Sequence, residues 1–179
     1  MTLQRQAGIS LIEVMVTLGI LAMLLGFGLP SFRTYMQNTQ TRAAADAILN
    51  GLQTTRNESI RRNANLEFTI HNGTAWDICP PAIDVYPCPA NRIQQRDSTE
   101  GSANAIAAVL PAGADTVGFN GLGRVVPNAN GSASITQVNI SNPQITGPQA
   151  RPLTVLILPG GTFRMCDPAV AAGDPRACS

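Results

Sequence analysis

Residues 9–29 form an apolar run with one ionisable side chain, Glu13. As a helix these 21 residues are long enough to cross a bilayer core of about 30 Å. An ionisable group near the centre of such a span costs about 2.5–3.5 kcal/mol on insertion scales, so it is normally kept for a partner. Residues 1–8 are polar, carry one arginine, Arg5, and end in Gly8. A secretory signal peptide places its apolar stretch before the cleavage site. A cut behind Gly8 would instead leave the apolar stretch on the mature chain. The new α-amino group of Ile9 would then supply a positive charge at a depth matching Glu13. An ordinary membrane anchor accounts for the apolar run but not for the carboxylate.

The next segment, residues 30–63, opens with Pro30. Proline inside a helix removes a hydrogen bond and usually kinks the axis. From Thr39 to Ile60 the pattern is helical again, with Ala43, Ala44, Ala47, Ile48 and Leu52 on one apolar stripe. Asp46, Asn50, Gln53, Arg56 and Asn57 fall largely off it. The expectation is one helix from about Ile9 to Asn63, kinked at Pro30, whose second half packs on a globular head. Arg56, Arg61 and Arg62 near its end suit the negative pole of the helix dipole.

Residues 64–179 read as a β-rich head. Leu66 to His71 alternates, Asn72-Gly73 is a two-residue hairpin signal, and Thr74 to Cys79 is the returning strand. Ala105 to Leu110 is a weak apolar run. Val117 to Val126 reads as a strand, a glycine-rich turn and a second strand. Ser134 to Ile140 alternates, and Pro152 to Leu158 is the most apolar strand. Gly160-Gly161 turns it into Thr162 to Cys166. The predicted class is α+β, a long helix on an antiparallel sheet.

The four cysteines, Cys79, Cys88, Cys166 and Cys178, are even in number and lie beyond the apolar run, which favours disulfides in an oxidising compartment. Zinc is the rival, but there is no C-x-x-C pair and the single histidine, His71, falls in a strand. The prolines between Cys79 and Asn91 argue for a loop closed by Cys79–Cys88, and Cys166 with Cys178 would close a second. Four cysteines still allow three pairings, and sequence does not choose among them. The net charge of +1 gives no overall field for an anionic partner. Neither a catalytic triad nor a metal site can be assembled from one histidine and scattered carboxylates. No catalytic residue, metal or cofactor is expected, and the chain reads as a substrate of an enzyme rather than as one.

Gly8-Ile9-Ser10-Leu11-Ile12-Glu13-Val14-Met15-Val16 resembles the class III leader of type IV pilins and type II secretion pseudopilins. Ile9 stands where most members have Phe. Arg56-Asn57-Glu58-Ser59-Ile60-Arg61-Arg62-Asn63 is similar to the R-x-E-A-I-x-R-N signature of the GspH/FimT/FimU minor pilin subgroup, with Ser59 in place of alanine. Phe119 to Gly123 resembles that subgroup's F-x-x-x-G hairpin. Arg151, Leu153, Val155, Gly161, Arg164 and Cys166 resemble its R-x-L-x-V…G…R-x-C pattern.

The resemblance implies the type IV pilin fold, with a kinked N-terminal helix on an antiparallel β-sheet head. It implies a prepilin peptidase that cuts between Gly8 and Ile9 and methylates the new terminus. It implies that Glu13 neutralises the terminal amine of a neighbouring subunit. The partners are then other minor and major pilins and the bacterial inner membrane, with the head in the periplasm before entry into a filament. A pseudopilin of a type II secretion system is the alternative. The FimT branch adds DNA uptake through a C-terminal G-R-x-R motif. Gly173 and Arg176 match its ends, but Asp174 stands at the first arginine and should repel phosphates. The candidate DNA contacts are therefore Arg164 and Arg176, as a weak, salt-sensitive patch.

Overall fold

The computed structural model describes residues 8–81 and 91–178. It divides into two compact units, one ending at Met36 and one spanning Gln37–Ser179. A single helix, α1 (Leu11–Arg62), contributes to both and is helical through Pro30. In the first unit every described residue from Gly8 to Leu29 is exposed. The helix is long and apolar enough to cross a membrane by length and composition.

In the second unit α1 buries one face. Thr41, Ala44, Ala45, Ile48, Gly51, Leu52, Thr55 and Ser59 are buried, at the three- and four-residue spacing of a helix face. This face is shifted from the predicted stripe, whose Ala43 and Ala47 are only half-buried. The shift arises because three buried positions are hydroxyl residues. Thr41 Oγ1 donates to the Gln37 carbonyl (3.2 Å) and Thr55 Oγ1 to that of Gly51 (2.7 Å). Ser59 Oγ lies 2.8 Å from the Arg56 carbonyl and 2.9 Å from that of Asn120. A hydroxyl bonded this way can be buried without a desolvation penalty, which a hydrophobicity pattern does not register.

The head contains two antiparallel sheets rather than the single one expected. The first comprises β1 (Leu66–His71), β2 (Ala75–Cys79), β3 (Gln94–Arg96), β5 (Thr116–Phe119) and β6 (Val125–Val126), in the order β3-β2-β1-β5-β6. The second comprises β4 (Ile106–Leu110), β7 (Gln137–Ser141), β8 (Leu153–Ile157) and β9 (Phe163–Cys166), in the order β4-β7-β8-β9. The β1–β2 hairpin pairs His71 with Ala75, so its turn has three residues, not two. Asn72 and Gly73 have positive φ, and Thr74 is buried with its hydroxyl 3.0 Å from that of Ser102. β3 was not anticipated, because Gln94-Gln95-Arg96 has neither alternation nor β-branched residues.

Ala44, Ala45, Ile48 and Leu52 of α1 share one core with Phe68, Trp76, Ile78, Val117 and Phe119 of the first sheet. Val138, Ile140, Val155 and Ile157 of the second sheet complete it. Each large aliphatic or aromatic side chain so buried contributes about 1.5–3 kcal/mol. Phe119 meets Phe163 edge-on, with ring centroids 5.7 Å apart, and so joins the two sheets.

Polar contacts fix the helix at both ends of its packed stretch. Near its start, Gln37 Oε1 accepts from Asn142 Nδ2 (2.7 Å), and Asn38 Oδ1 accepts from the Arg151 amide (3.0 Å). Asn38 Nδ2 also donates to the Gln149 carbonyl (2.9 Å). Near its end, Arg56 Nε donates to the Gly123 carbonyl (3.1 Å) in the β5–β6 turn. The Val125 amide reaches the Pro159 carbonyl (3.2 Å), bringing the β8–β9 turn to the same place.

Two glycines set how closely these elements approach. A Cβ on Gly51 would lie 2.6 Å from Phe68 Cε2 and 3.0 Å from Trp76 Cε2, both in the core. Gly161 has φ +79°, and a Cβ there would lie by the Gly123 carbonyl oxygen. Overpacking of a core costs about 1–3 kcal/mol, so Gly51→Val should lower stability by that amount. Urea unfolding of the detergent-solubilised chain, read by the fluorescence of its one tryptophan, Trp76, measures it. Gly161→Ala should cost about 2 kcal/mol or more, from backbone strain plus collision with main chain. Gly160→Ala, with open space at its Cβ, should stay within about 0.5 kcal/mol. Equal effects at 160 and 161 would refute this account of the joint.

Candidate functional site

The N-terminal candidates lie together at the start of α1. Gly8 and Ile9 precede the helix and are exposed, Ile9 at 75%. Ser10 caps it: the Glu13 amide is 3.1 Å from the Ser10 carbonyl and 3.3 Å from its hydroxyl. Ser10-Leu11-Ile12-Glu13 has the S-x-x-E spacing of a capping box, a signal readable in the sequence that the leader motif had obscured. The cap places Glu13 in the first turn, where unpaired amides and the helix dipole favour a carboxylate. The Gly8–Ile9 bond is thus outside the helix, and the carboxylate is one turn inside it.

At the far end of α1, Arg61 Nη2 and Arg62 Nε reach the same Glu58 oxygen at 2.6 and 2.8 Å. The hydrogen bond from Arg61, then that from Arg62, holds the Glu58 carboxyl down at about 2. Arg56, on another side of the turn, enters the glycine joint instead. The joint brings together residues from three motifs noted in the sequence: Arg56 and Ser59 from the helix end, Gly123 from the hairpin, and Gly161 from the last turn. Sequence reading had treated them as separate signatures.

In the tail, Cys166 and Cys178 form a disulfide. Cys79 is also disulfide-bonded, and Cys88, its expected partner, lies outside the described residues. Arg164 Nη2 donates to the Ala177 carbonyl (2.8 Å). Arg176 makes a bidentate pair with Asp174, Nε to Oδ1 at 3.1 Å and Nη2 to Oδ2 at 2.9 Å. The side-chain bond from Arg176 is the main reason the Asp174 carboxyl is held at about 2. The Arg176 carbonyl accepts from the Asp167 amide (2.7 Å). The Arg164 side chain therefore holds the tail loop, whereas the Arg176 side chain is paired within it. A phosphate approaching Arg176 would compete with a carboxylate already in place.

His71 is half-buried, with Nε2 3.0 Å from Asp77 Oδ2. Arg92 Nε lies 3.2 Å from Asp77 Oδ1. The sequence pattern placed His71 in a strand and did not foresee the buried carboxylate it meets across the β1–β2 pair. The period-2 pattern assigned Asp77 no face, because all of β2 is buried.

The family model described as type II transport protein GspH matches residues 44–161. The model of the prokaryotic N-terminal methylation motif matches residues 3–29. Comparison with curated protein sequences finds no significant match. Among solved structures, a crystal form of the type IV minor pilin FimU of Pseudomonas aeruginosa is similar, at 16% identity and a TM-score of 0.53. That likeness covers 78% of this chain and 97% of FimU. A second crystal form of FimU gives 17% identity over 74% of this chain and 97% of FimU, with a TM-score of 0.49. The likeness to the first is one of fold, a long N-terminal helix with antiparallel sheets, the pilin fold. The GspH match runs from the buried face of α1 through both sheets to the Gly161 joint, and on that match the chain belongs to the GspH family.

Proposed function

We propose that this chain is a minor pilin that takes part in assembling or tipping a type IV pilus. Family and fold are those of structural pilins, not enzymes, and the chain acts as a building block without catalysing a reaction. A prepilin peptidase cuts between Gly8 and Ile9 and methylates the new terminus. The chain is then held in the bacterial inner membrane by residues 9–29, with its head in the periplasm. On assembly Glu13 pairs with the terminal amine of a neighbouring subunit, which offsets the cost of carrying a carboxylate into an apolar bundle. Pro30, inside α1, removes one helical hydrogen bond and kinks the helix locally. The carrying observation is the exposure of every described residue of the apolar run 9–29, whose one ionisable side chain, Glu13, sits in the capped first turn of α1.

The GspH description also supports a pseudopilin of a type II secretion system as a second reading. It uses the same processing and the same Glu13 contact. Neighbouring genes for pilus or secretion components separate the two.

Glu13→Ala should leave cleavage intact and remove the chain from the filament. Immunoblots of the membrane fraction and of filaments sheared from cells measure the two separately. Normal amounts of the variant in sheared filaments would contradict the assembly role. An uncleaved product would show that Glu13 belongs to peptidase recognition instead.

A further inference from the structure

Several arginines of the second unit pair with carboxylates: Arg42 with Asp46, Arg61 and Arg62 with Glu58, Arg92 with Asp77, and Arg176 with Asp174. Arg56 is not among them. Its Nε is committed to the Gly123 carbonyl, and among the described residues no carboxylate lies within ion-pair distance of its guanidinium. Arg56 is half-buried and lines a groove of about 350 Å³ between α1 and the β8–β9 turn. Gln53, Asn57 and Thr162 line the groove with amide and hydroxyl groups, and Gly161 and Phe163 complete it.

We propose that this groove is a carboxylate-binding site, and that its occupant is an Asp or Glu side chain of a neighbouring subunit in the filament. With Nε bonded to main chain, the end-on edge of the guanidinium remains, and its two Nη groups match the two oxygens of one carboxylate. The anchoring bond to Gly123 fixes the fork in place, which lowers the entropy lost on binding. The amides of Gln53 and Asn57 and the Thr162 hydroxyl supply further donors. A protein surface fits better than a polyphosphate, because the groove holds a single unneutralised cation and phosphate backbones are bound by several. Exposed apolar side chains lie at the same joint. Ile60, 43% exposed, has its Cδ1 by Gly123, and Leu122, 77% exposed, directly precedes that glycine. An acidic residue flanked by apolar ones would cover both. This inference rests on the reading of the chain as a filament subunit.

The test is Gln53→Glu. Gln53 lies three residues before Arg56, and the isosteric carboxylate can reach the guanidinium from its own helix, an arrangement that supports helices. The variant should fold with unchanged or higher Tm but enter sheared filaments at least about tenfold less than wild type, because the site fills itself. Gln53→Ala removes one amide donor but keeps the cation free, so its loss should be several-fold smaller than that of Gln53→Glu. Equal incorporation of Gln53→Glu and wild type would overturn the proposal, as would equal losses for Glu and Ala. If wild type itself is absent from filaments, the filament reading fails instead. A photo-crosslinking residue at Thr162 of the full chain in cells gives a second readout. Adducts should map to an acid-containing peptide of another pilin, and adducts confined to other proteins, or none, would refute the assignment.

Discussion

The head depends on how closely α1 lies against the first sheet at Gly51. With no Cβ there, the helix backbone comes down onto the rings of Phe68 and Trp76, whose centroids are 5.4 Å apart. Ala44 and Ala45 continue the thin surface about two turns earlier. Thin helix faces favour short interaxial distances, and a short distance lets four further elements follow in register. It allows Ser59 to reach the Asn120 carbonyl and Arg56 to reach that of Gly123. It also brings Asn38 to Arg151 and Gln37 to Asn142. A bulkier residue at 51 would lift the helix and stretch every one of these bonds together.

Much of this was legible beforehand. The helix limits, the β1–β2 hairpin and the strand pair around Gly160-Gly161 follow from period, apolar content and turn residues, and each appears within a few residues of its expected place. The buried helix face was read less well, since Thr41, Thr55 and Ser59 look polar until their hydroxyls are seen bonded to carbonyls. Splitting of the head into two sheets was not legible, because hydrophobic alternation marks a face but not the neighbouring strand. Asp77 escaped for the same reason: its partners, His71 and Arg92, lie 6 and 15 positions away in a sequence of 179. Motifs noted separately at Arg56, Gly123 and Gly161 became one object only when their main-chain contacts were on view.

The tail shows how a motif match can be outweighed by its own chemistry. Gly173 and Arg176 invite comparison with a phosphate-binding sequence, yet the residue between that carries the decision is Asp174. A carboxylate two positions before an arginine on a tight loop forms a bidentate pair. For an anion to displace it, the phosphate contact must exceed a charge-assisted fork already in place. Arg164 meanwhile holds the Ala177 carbonyl, so moving it would loosen the loop closed by Cys166–Cys178. Arg164 thus fastens the tail loop, and Arg176 is paired with a carboxylate inside it.

The same criterion, asking what already neutralises each charge, picks out the two charged groups proposed to act in assembly. Glu13 and Arg56 each have a setting from local structure but no oppositely charged partner among the described residues. For Glu13 the setting is the first turn of α1, capped by Ser10. For Arg56 it is a hydrogen bond that uses one edge of the fork and leaves the other turned to a groove. A charge held in position without a counterion favours a complementary charge over a merely apolar surface, and so selects its partner as well as binding it. One is a carboxylate seeking a cation and the other a cation seeking a carboxylate. On the proposed reading, a chain carrying both fixes its neighbour's identity and its register by two independent contacts.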